Sequence, residues 1–173
     1  IFEGMRQIDL IHGVGPEEIR PITLFGGEPL LAKNRDVIKY IVQKARSAGK
    51  ASIAAVSNAT ELEAYRDILG PGMIERIQIT IDGPPRTHDR RRIYPDGSGS
   101  FGKIAENISM ALELDTKIDL RMNIDRTNIE LLPELAALYD KFGWLDDPRL
   151  WAYVAPVHGE QGKQKGSRSE EHT

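Results

Sequence analysis

Strand-like and helix-like segments alternate along almost the whole chain, and this alternation limits the possible folds more than any other feature. Apolar residues recur at helical spacing over 2–12 (Met5, Ile8, Ile11) and 34–48 (Val37, Ile38, Ile41, Val42, Ala45). The same spacing returns over 61–69, 101–114 (Ile104, Ile108, Leu112) and 128–142 (Leu131, Leu132, Leu135, Leu138, Phe142). Between them lie short strand patterns at 22–25, 51–56, 74–81, 117–124 and about 149–154, and Gly49 stops the second helix. The stretch 82–100, rich in Pro, Gly, Asp and Arg, reads as a long loop. Strands joined through helices by short connections form a mostly parallel sheet with right-handed crossovers. Five such strands fit an open doubly wound sheet or an arc of a β/α barrel, and in both a ligand sits at the carboxyl ends of the strands.

The strand faces separate these two. In 76–82, Ile77, Ile79 and Ile81 point one way and Gln78, Thr80 and Asp82 the other. In 117–125, Ile118, Leu120, Met122 and Ile124 oppose Asp119, Arg121, Asn123 and Asp125. A doubly wound sheet buries both faces and uses near-continuous apolar strands. A polar face buried without partners would cost several kcal/mol. The pattern therefore predicts an incomplete barrel, apolar outside against helices and polar inside around a wet cavity, with the small residues of 51–59 leaving room.

Composition excludes several classes. The 173 residues suffice for one domain with a core, the net charge is −3, and no basic run interleaves with aromatics, so nucleic acid is not the expected partner. No apolar stretch reaches the length of a membrane span and no signal peptide opens the chain, which makes a cytoplasmic location the expectation and a membrane partner unexpected. There is no cysteine, hence no disulfide and no thiolate ligand from this sequence. The chain opens without Met inside a helical pattern, so it reads as a piece of a longer protein or a processed one. Residues 158–173 contain no aliphatic or aromatic side chain and read as a disordered tail after a domain spanning 1–157.

Three strand ends carry unusual turns: Gly26-Gly27-Glu28-Pro29, Ser57-Asn58-Ala59-Thr60, and Asp82-Gly83-Pro84-Pro85. An ordinary turn needs one glycine, not two followed by a carboxylate. After the third come His88-Asp89 with Arg92, and then Gly97-Ser98-Gly99-Ser100-Phe101. This order closely resembles the radical S-adenosylmethionine (SAM) enzymes, in particular the branch of anaerobic sulfatase-maturating enzymes and SPASM-type peptide maturases. Their pattern runs GGEP, TNGT, SIDGP, HDxxR and GxGSF. The resemblance spans about 22–125 and rests on five motifs in order, which is far more specific than GGEP alone.

The resemblance implies a partial (β/α)6 TIM-like barrel, here a fragment lacking the first strand and the cluster loop. It implies SAM and a 4Fe-4S cluster as cofactors, the cluster held in the parent protein by a CxxxCxxC loop that this sequence lacks. It implies reductive cleavage of SAM to a 5′-deoxyadenosyl radical that abstracts hydrogen, here from a peptide or protein side chain, with an external electron donor. This fragment alone would be inactive. Gly26 and Gly27 let the backbone approach the methionyl end of SAM; Glu28 and the turn carbonyls accept bonds from its ammonium; Pro29 stiffens the turn. Thr80 stands at the family's serine, and Arg92 at the arginine that pairs with the SAM carboxylate. Asn58 belongs to the second turn, where Ala59 replaces glycine and so avoids positive φ.

Each assignment has a plainer counterpart. Glu28 also suits a helix N-terminus, Thr80 a strand, Asn58 an Asx turn and Arg92 a solvated loop. Asp82 reads as a turn cap and His88 as a structural partner in the loop. Asp119, Arg121 and Asn123 are candidate substrate-facing residues, or equally a buried salt-bridged row. Two other functions stay open: a cluster-free module that binds SAM or a nucleotide without radical chemistry, and a doubly wound protein that binds an anionic metabolite. Strand order separates the last, because barrel neighbours follow chain order. The edge of strand 22–25 is expected to be the exposed, self-associating one.

Overall fold

The computed structural model describes residues 2–13, 15, 18, 20–47 and 51–156. Helix α1 (Phe2–His12) leads into strand β1 (Arg20–Leu24), and a 3-10 turn (Ala32–Asn34) runs into α2 (Arg35–Ser47). Strand β2 (Ala51–Ser57), a 3-10 helix (Leu62–Ile68) and β3 (Ile74–Thr80) follow. Then come α3 (Pro85–Arg91), α4 (Phe101–Glu113), β4 (Lys117–Ile124), a 3-10 turn (Ile129–Leu131), α5 (Leu132–Lys141) and β5 (Leu150–Pro156). The proposed tail at 158–173 lies outside the described residues.

All five strands pair in parallel, in the order β1-β2-β3-β4-β5. Chain order without a reversal is what an arc of a barrel requires, and it removes the doubly wound alternative. The two-faced strands divide as their residues dictate. Ile77, Ile79, Ile81 and Ile118 are fully buried under the helices, with Leu120 and Met122 nearly so. On the other face Gln78, Thr80, Asp119, Arg121 and Asn123 are only half-buried. Burial of each Ile is worth about 1.5–3 kcal/mol, so a one-residue slip of β3 would invert its whole contribution.

Three local expectations need correction. The stretch 82–100 is not all loop: Pro85 opens α3 at a position where a missing N–H is harmless, and of that helix only His88 is buried. With one inward residue in two turns there was no apolar period to read. The expected helix at 61–69 is a 3-10 helix, whose three-residue repeat puts Leu62, Tyr65 and Ile68 on one buried line. The helix expected over 128–142 begins as a 3-10 turn.

Among the described residues the sheet has two edges, β1, as expected, and β5. Strand β1 carries Arg20 and Pro21, a charge and a residue without an N–H, both of which discourage edge pairing. Strand β5, last in the sheet among the described residues, reads Leu-Trp-Ala-Tyr-Val-Ala-Pro, with no charge and no proline before its end. Trp151 is 64% and Val154 46% exposed. A flat, uncharged, apolar edge templates further strands. The expected outcome is concentration-dependent association by sedimentation, relieved by Val154→Lys and little changed by a second charge on β1. A wild-type chain monomeric at all concentrations would contradict this.

Candidate functional site

The turn after β1 is a cradle made by backbone. Gly26 has φ 101° and Gly27 φ 57°, values that L side chains rarely adopt. A Cβ built on either meets no other atom within 4 Å. The glycines are thus needed for the turn's shape, while the space above them stays open. Asn34 Nδ2 donates to the Glu28 and Pro29 carbonyls (3.2 Å each), and Tyr65 Oη donates to the Leu31 carbonyl (2.6 Å), fixing the turn from beneath.

Glu28 turns inward and ties the ends of β1 and β2 together. Its Oε1 accepts from the Ser57 hydroxyl (2.7 Å) and the Leu30 N–H (3.0 Å), and its Oε2 from the Asn58 N–H (2.6 Å). A carboxylate has about four lone-pair positions, so one remains for another donor. In the second turn, Asn58 Oδ1 accepts from the Thr60 N–H and hydroxyl (2.9 and 2.8 Å), the Asx geometry weighed above. Ala59 does not avoid positive φ. It sits at φ 60° and is fully buried, held by its N–H to Ser57 Oγ (2.9 Å) and by Asn107 Nδ2 on its carbonyl (2.7 Å). Left-handed alanine costs roughly 1–2 kcal/mol, which these bonds offset.

The third strand end is the most interlocked. The Asp82 N–H donates to His88 Nδ1 (3.2 Å), its carbonyl accepts from Asn128 Nδ2 (3.2 Å), and its Oδ2 accepts from Arg92 Nε (2.7 Å). Because His88 Nδ1 is an acceptor, the neutral ring carries its proton on Nε2 and donates to Ser100 Oγ (3.1 Å); Ser100 donates on to the Arg92 carbonyl (2.8 Å). Asp89 Oδ1 accepts the Phe101 N–H at the start of α4 (2.9 Å). A Cβ on Gly99 would sit 2.3 Å from the Asp89 carboxylate, so a larger residue there would displace that side chain. The His-Asp-x-x-Arg and Gly-Ser-Phe motifs are therefore two halves of one clasp between α3 and α4. His88 is buried completely, and burial, then the Arg92 charge, pushes its pKa below the usual value.

The sequence-assigned residues Gly26, Gly27, Glu28, Pro29, Asn58 and Thr80 lie together at the ends of β1 to β3. Arg92 joins them through Asp82, with its Nε committed to that carboxylate. Of the polar row on β4, Asp119 is engaged by Arg76 Nη1 (2.8 and 3.1 Å), as the salt-bridge alternative had it. Arg121 and Asn123 are not: Arg121 Nε and Asn123 Oδ1, like Asp82 Oδ1, are buried without a hydrogen-bond partner among the described residues. Each such group costs about 1–3 kcal/mol if left so. Sequence reading named Ser57 and Ser100 in their motifs without giving them a role and passed over Asn107 and Asn128; all four build the site from behind. Of the two it passed over, Asn128, one residue after Thr127 in an Asp-Arg-Thr-Asn turn, carried a local signal; its Oδ1 accepts the Asp125 N–H at 2.8 Å.

Comparison with known proteins agrees with this geometry. The family model described as "4Fe-4S single cluster domain" matches residues 3–101. No curated protein sequence matches the chain. Among solved structures, "Native anSMEcpe with bound AdoMet" superposes with TM-score 0.69 at 16% identity, over 95% of this chain and 45% of that one. A polyhistidine-tagged form of anSMEcpe with bound AdoMet gives 0.67 at 16%, over 85% and 41%. "Native anSMEcpe with bound AdoMet and Kp18Cys peptide" gives 0.63 at 14%, over 85% and 41%. At these identities the likeness is one of fold: a partial barrel of the radical SAM core type. The chain belongs to the family of 4Fe-4S single cluster domains. It spans less than half the length of the structures it matches.

The residues present do not fit the iron–sulfur cluster itself. Cluster ligands are thiolates, the sequence has no cysteine, and among the described residues no three His, Cys, Asp or Glu come together. Ligands for a cluster must come from outside this sequence. The open glycine cradle, the remaining lone pair of Glu28 and the orphaned polar atoms at the ends of β3 and β4 do suit a polar organic ligand.

The clasp makes stability depend on pH with a definite sign. The folded state holds His88 neutral, so the unfolded chain takes up its proton first as pH falls below about 6.5. His88 stabilises fully above that pH, and its contribution declines as pH drops toward its lowered folded value. Asp67, Asp96, Asp125 and Asp147 have lowered values from 3.8, so their losses come in more acid solution. Stability to urea should fall as pH drops below about 6.5, and His88→Gln should flatten that fall. An unchanged slope in the variant would contradict the assignment.

Proposed function

We propose that this chain is the SAM-binding part of a radical SAM 4Fe-4S enzyme that abstracts hydrogen from a peptide or protein side chain. The observation that carries the proposal is the open, left-handed Gly26-Gly27 turn clamped by Glu28 at the end of the first described strand. Residues 1–157 would be the core fragment and 158–173 a tail. The parent enzyme, of the SPASM-type maturase branch, would supply the cysteine loop, and the fragment alone would not turn over. In the AdoMet-bound neighbours the matched fold is that of SAM enzymes, and two of them are peptide complexes, which supports SAM and a peptide substrate for this chain. Held by the parent's cysteine loop, the cluster would supply the electron, drawn from an external donor, for reductive cleavage of SAM to the hydrogen-abstracting 5′-deoxyadenosyl radical.

The chain's own residues do the holding. The Gly26-Gly27 backbone admits the methionyl end without a Cβ in the way. Glu28 offers its remaining lone pair to the ammonium and keeps the first two turns in register. Thr80, at the end of β3, presents a hydroxyl to the ribose or carboxylate. Arg92, steadied by Asp82, leaves its terminal nitrogens for the SAM carboxylate, a geometry that a guanidinium serves better than an ammonium. No helix among the described residues is long and apolar enough to cross a membrane.

The runner-up, a cluster-free SAM- or nucleotide-binding module, draws on the absence of cysteine from the sequence. Calorimetry with SAM tests the shared part. Wild-type chain, or its cluster-loaded parent, should bind SAM, and Gly27→Ala should lose about 1–2 kcal/mol, since alanine at φ 57° is strained. Glu28→Ala should lose about 1.5–3 kcal/mol. A parent that binds SAM as well with both substitutions as without them would refute the assignment.

A further inference from the structure

The concave face satisfies itself in its lower half and not in its upper half. Below, Arg76 takes Asp119, and the Tyr153 hydroxyl donates to Gln78 Oε1 (3.0 Å). Above, Arg121 Nε, Asn123 Oδ1 and Asp82 Oδ1 are buried and unpartnered among the described residues. These three are neighbours by construction. Arg121 pairs in register with Thr80 on one side and Tyr153 on the other, Asn123 follows two residues on, and the Ile81 N–H donates to the Arg121 carbonyl (2.9 Å) beside Asp82. Asp82 is 6% exposed, so its free oxygen faces the protein's interior rather than bulk water.

We propose that Arg121 anchors a carboxylate of the substrate, and that Asn123 and Asp82 take donors from the same molecule. The proposal rests on the reading above, which lays SAM across the ends of β1 to β3. The ends of β4 and β5 are then left for the substrate, and Arg121 is the cation that the inner face of β4 presents there. A guanidinium donates only, in a planar fork that matches a carboxylate. Beside it on β5, Trp151 and Tyr153 stack at 5.1 Å and 22°, an apolar ledge for the stem of an acidic group. The substrate class is thus a peptide presenting an acidic side chain or its C-terminal carboxylate at the reacting site.

The test is NMR on the full chain, observing the Arg121 Nε–Hε signal during titration with small probes. N-acetyl-aspartate N-methylamide supplies a side-chain carboxylate and N-acetyl-alanine a terminal one; the N-methylamides of N-acetyl-asparagine and N-acetyl-alanine are the neutral controls. The expected result is a saturating shift with one or both carboxylates and none with the controls. Arg121→Gln should weaken the binding by about tenfold or more, and Arg121→Lys by less, in variants whose spectra stay dispersed. Which carboxylate binds more tightly distinguishes side chain from terminus. Carboxylate and control probes acting alike, equal binding to Arg121→Gln, or displacement of the probe by SAM would overturn the proposal, the last by assigning Arg121 to the cofactor. The Gly26 and Gly27 amides report SAM separately: if they stay still while Arg121 responds, the cofactor reading fails and the anchor stands.

Discussion

The division of β3 and β4 into an apolar and a polar face governs the rest of this structure. Isoleucines every second residue can be buried on one side only, so the helices must lie there. The intervening Gln, Thr, Asp, Arg and Asn are forced onto the concave side. Parallel strands bring all their carboxyl ends to one rim, and at the ends of β3 and β4 Asp82 Oδ1, Arg121 Nε and Asn123 Oδ1 are buried without partners among the described residues. A fold that bound nothing would be expected to pair them, as it has paired Arg76 with Asp119 lower down.

The rim is held by connections between turns rather than by the sheet. Glu28 joins the first turn to the second, Asn107 on α4 fixes the second, and Asn128 spans the third and the β4 turn through the Asp82 and Asn123 carbonyls. His88 and Asp89 lock α3 onto the start of α4. Each tie leaves the open side of its loop free while making its far side rigid, which is how a binding rim is preorganised without occupying it. Charge follows the same plan: Asp82 and Arg92 neutralise one another at the rim, whereas Arg121 does not meet a carboxylate among the described residues.

Much of this was legible in the sequence because the relevant signals are local. Period-two and period-four apolar patterns gave the strands, α2 and α4 to within a residue or two, and their alternation gave the parallel sheet. The glycine pair gave the first turn. What escaped were elements defined by one inward residue, such as α3 with His88, and side-chain pairs set by tertiary neighbours. Nothing near Arg92 says that its Nε will meet Asp82, and nothing near Ala59 says that Asn107 and Ser57 will hold it left-handed. Asp119 and Arg121 share the same alternating pattern, yet only the strand register decides that one finds Arg76 and the other does not. The family resemblance supplied cofactor roles that the residues alone leave open, and the absence of cysteine marks where that resemblance stops.

The account stands on the claim that the rim at the ends of β1 to β3 is a SAM site. A crystal structure of the chain, or of its cluster-bearing parent, grown with SAM tests it most directly. The account predicts density for the methionyl end over Gly26 and Gly27, within hydrogen-bonding reach of Glu28, and for the ribose near Thr80. SAM bound elsewhere, for instance in the apolar groove that Leu135, Tyr139 and Val154 line on the opposite face, would contradict it, as would a saturated crystal in which the glycine turn remains bare.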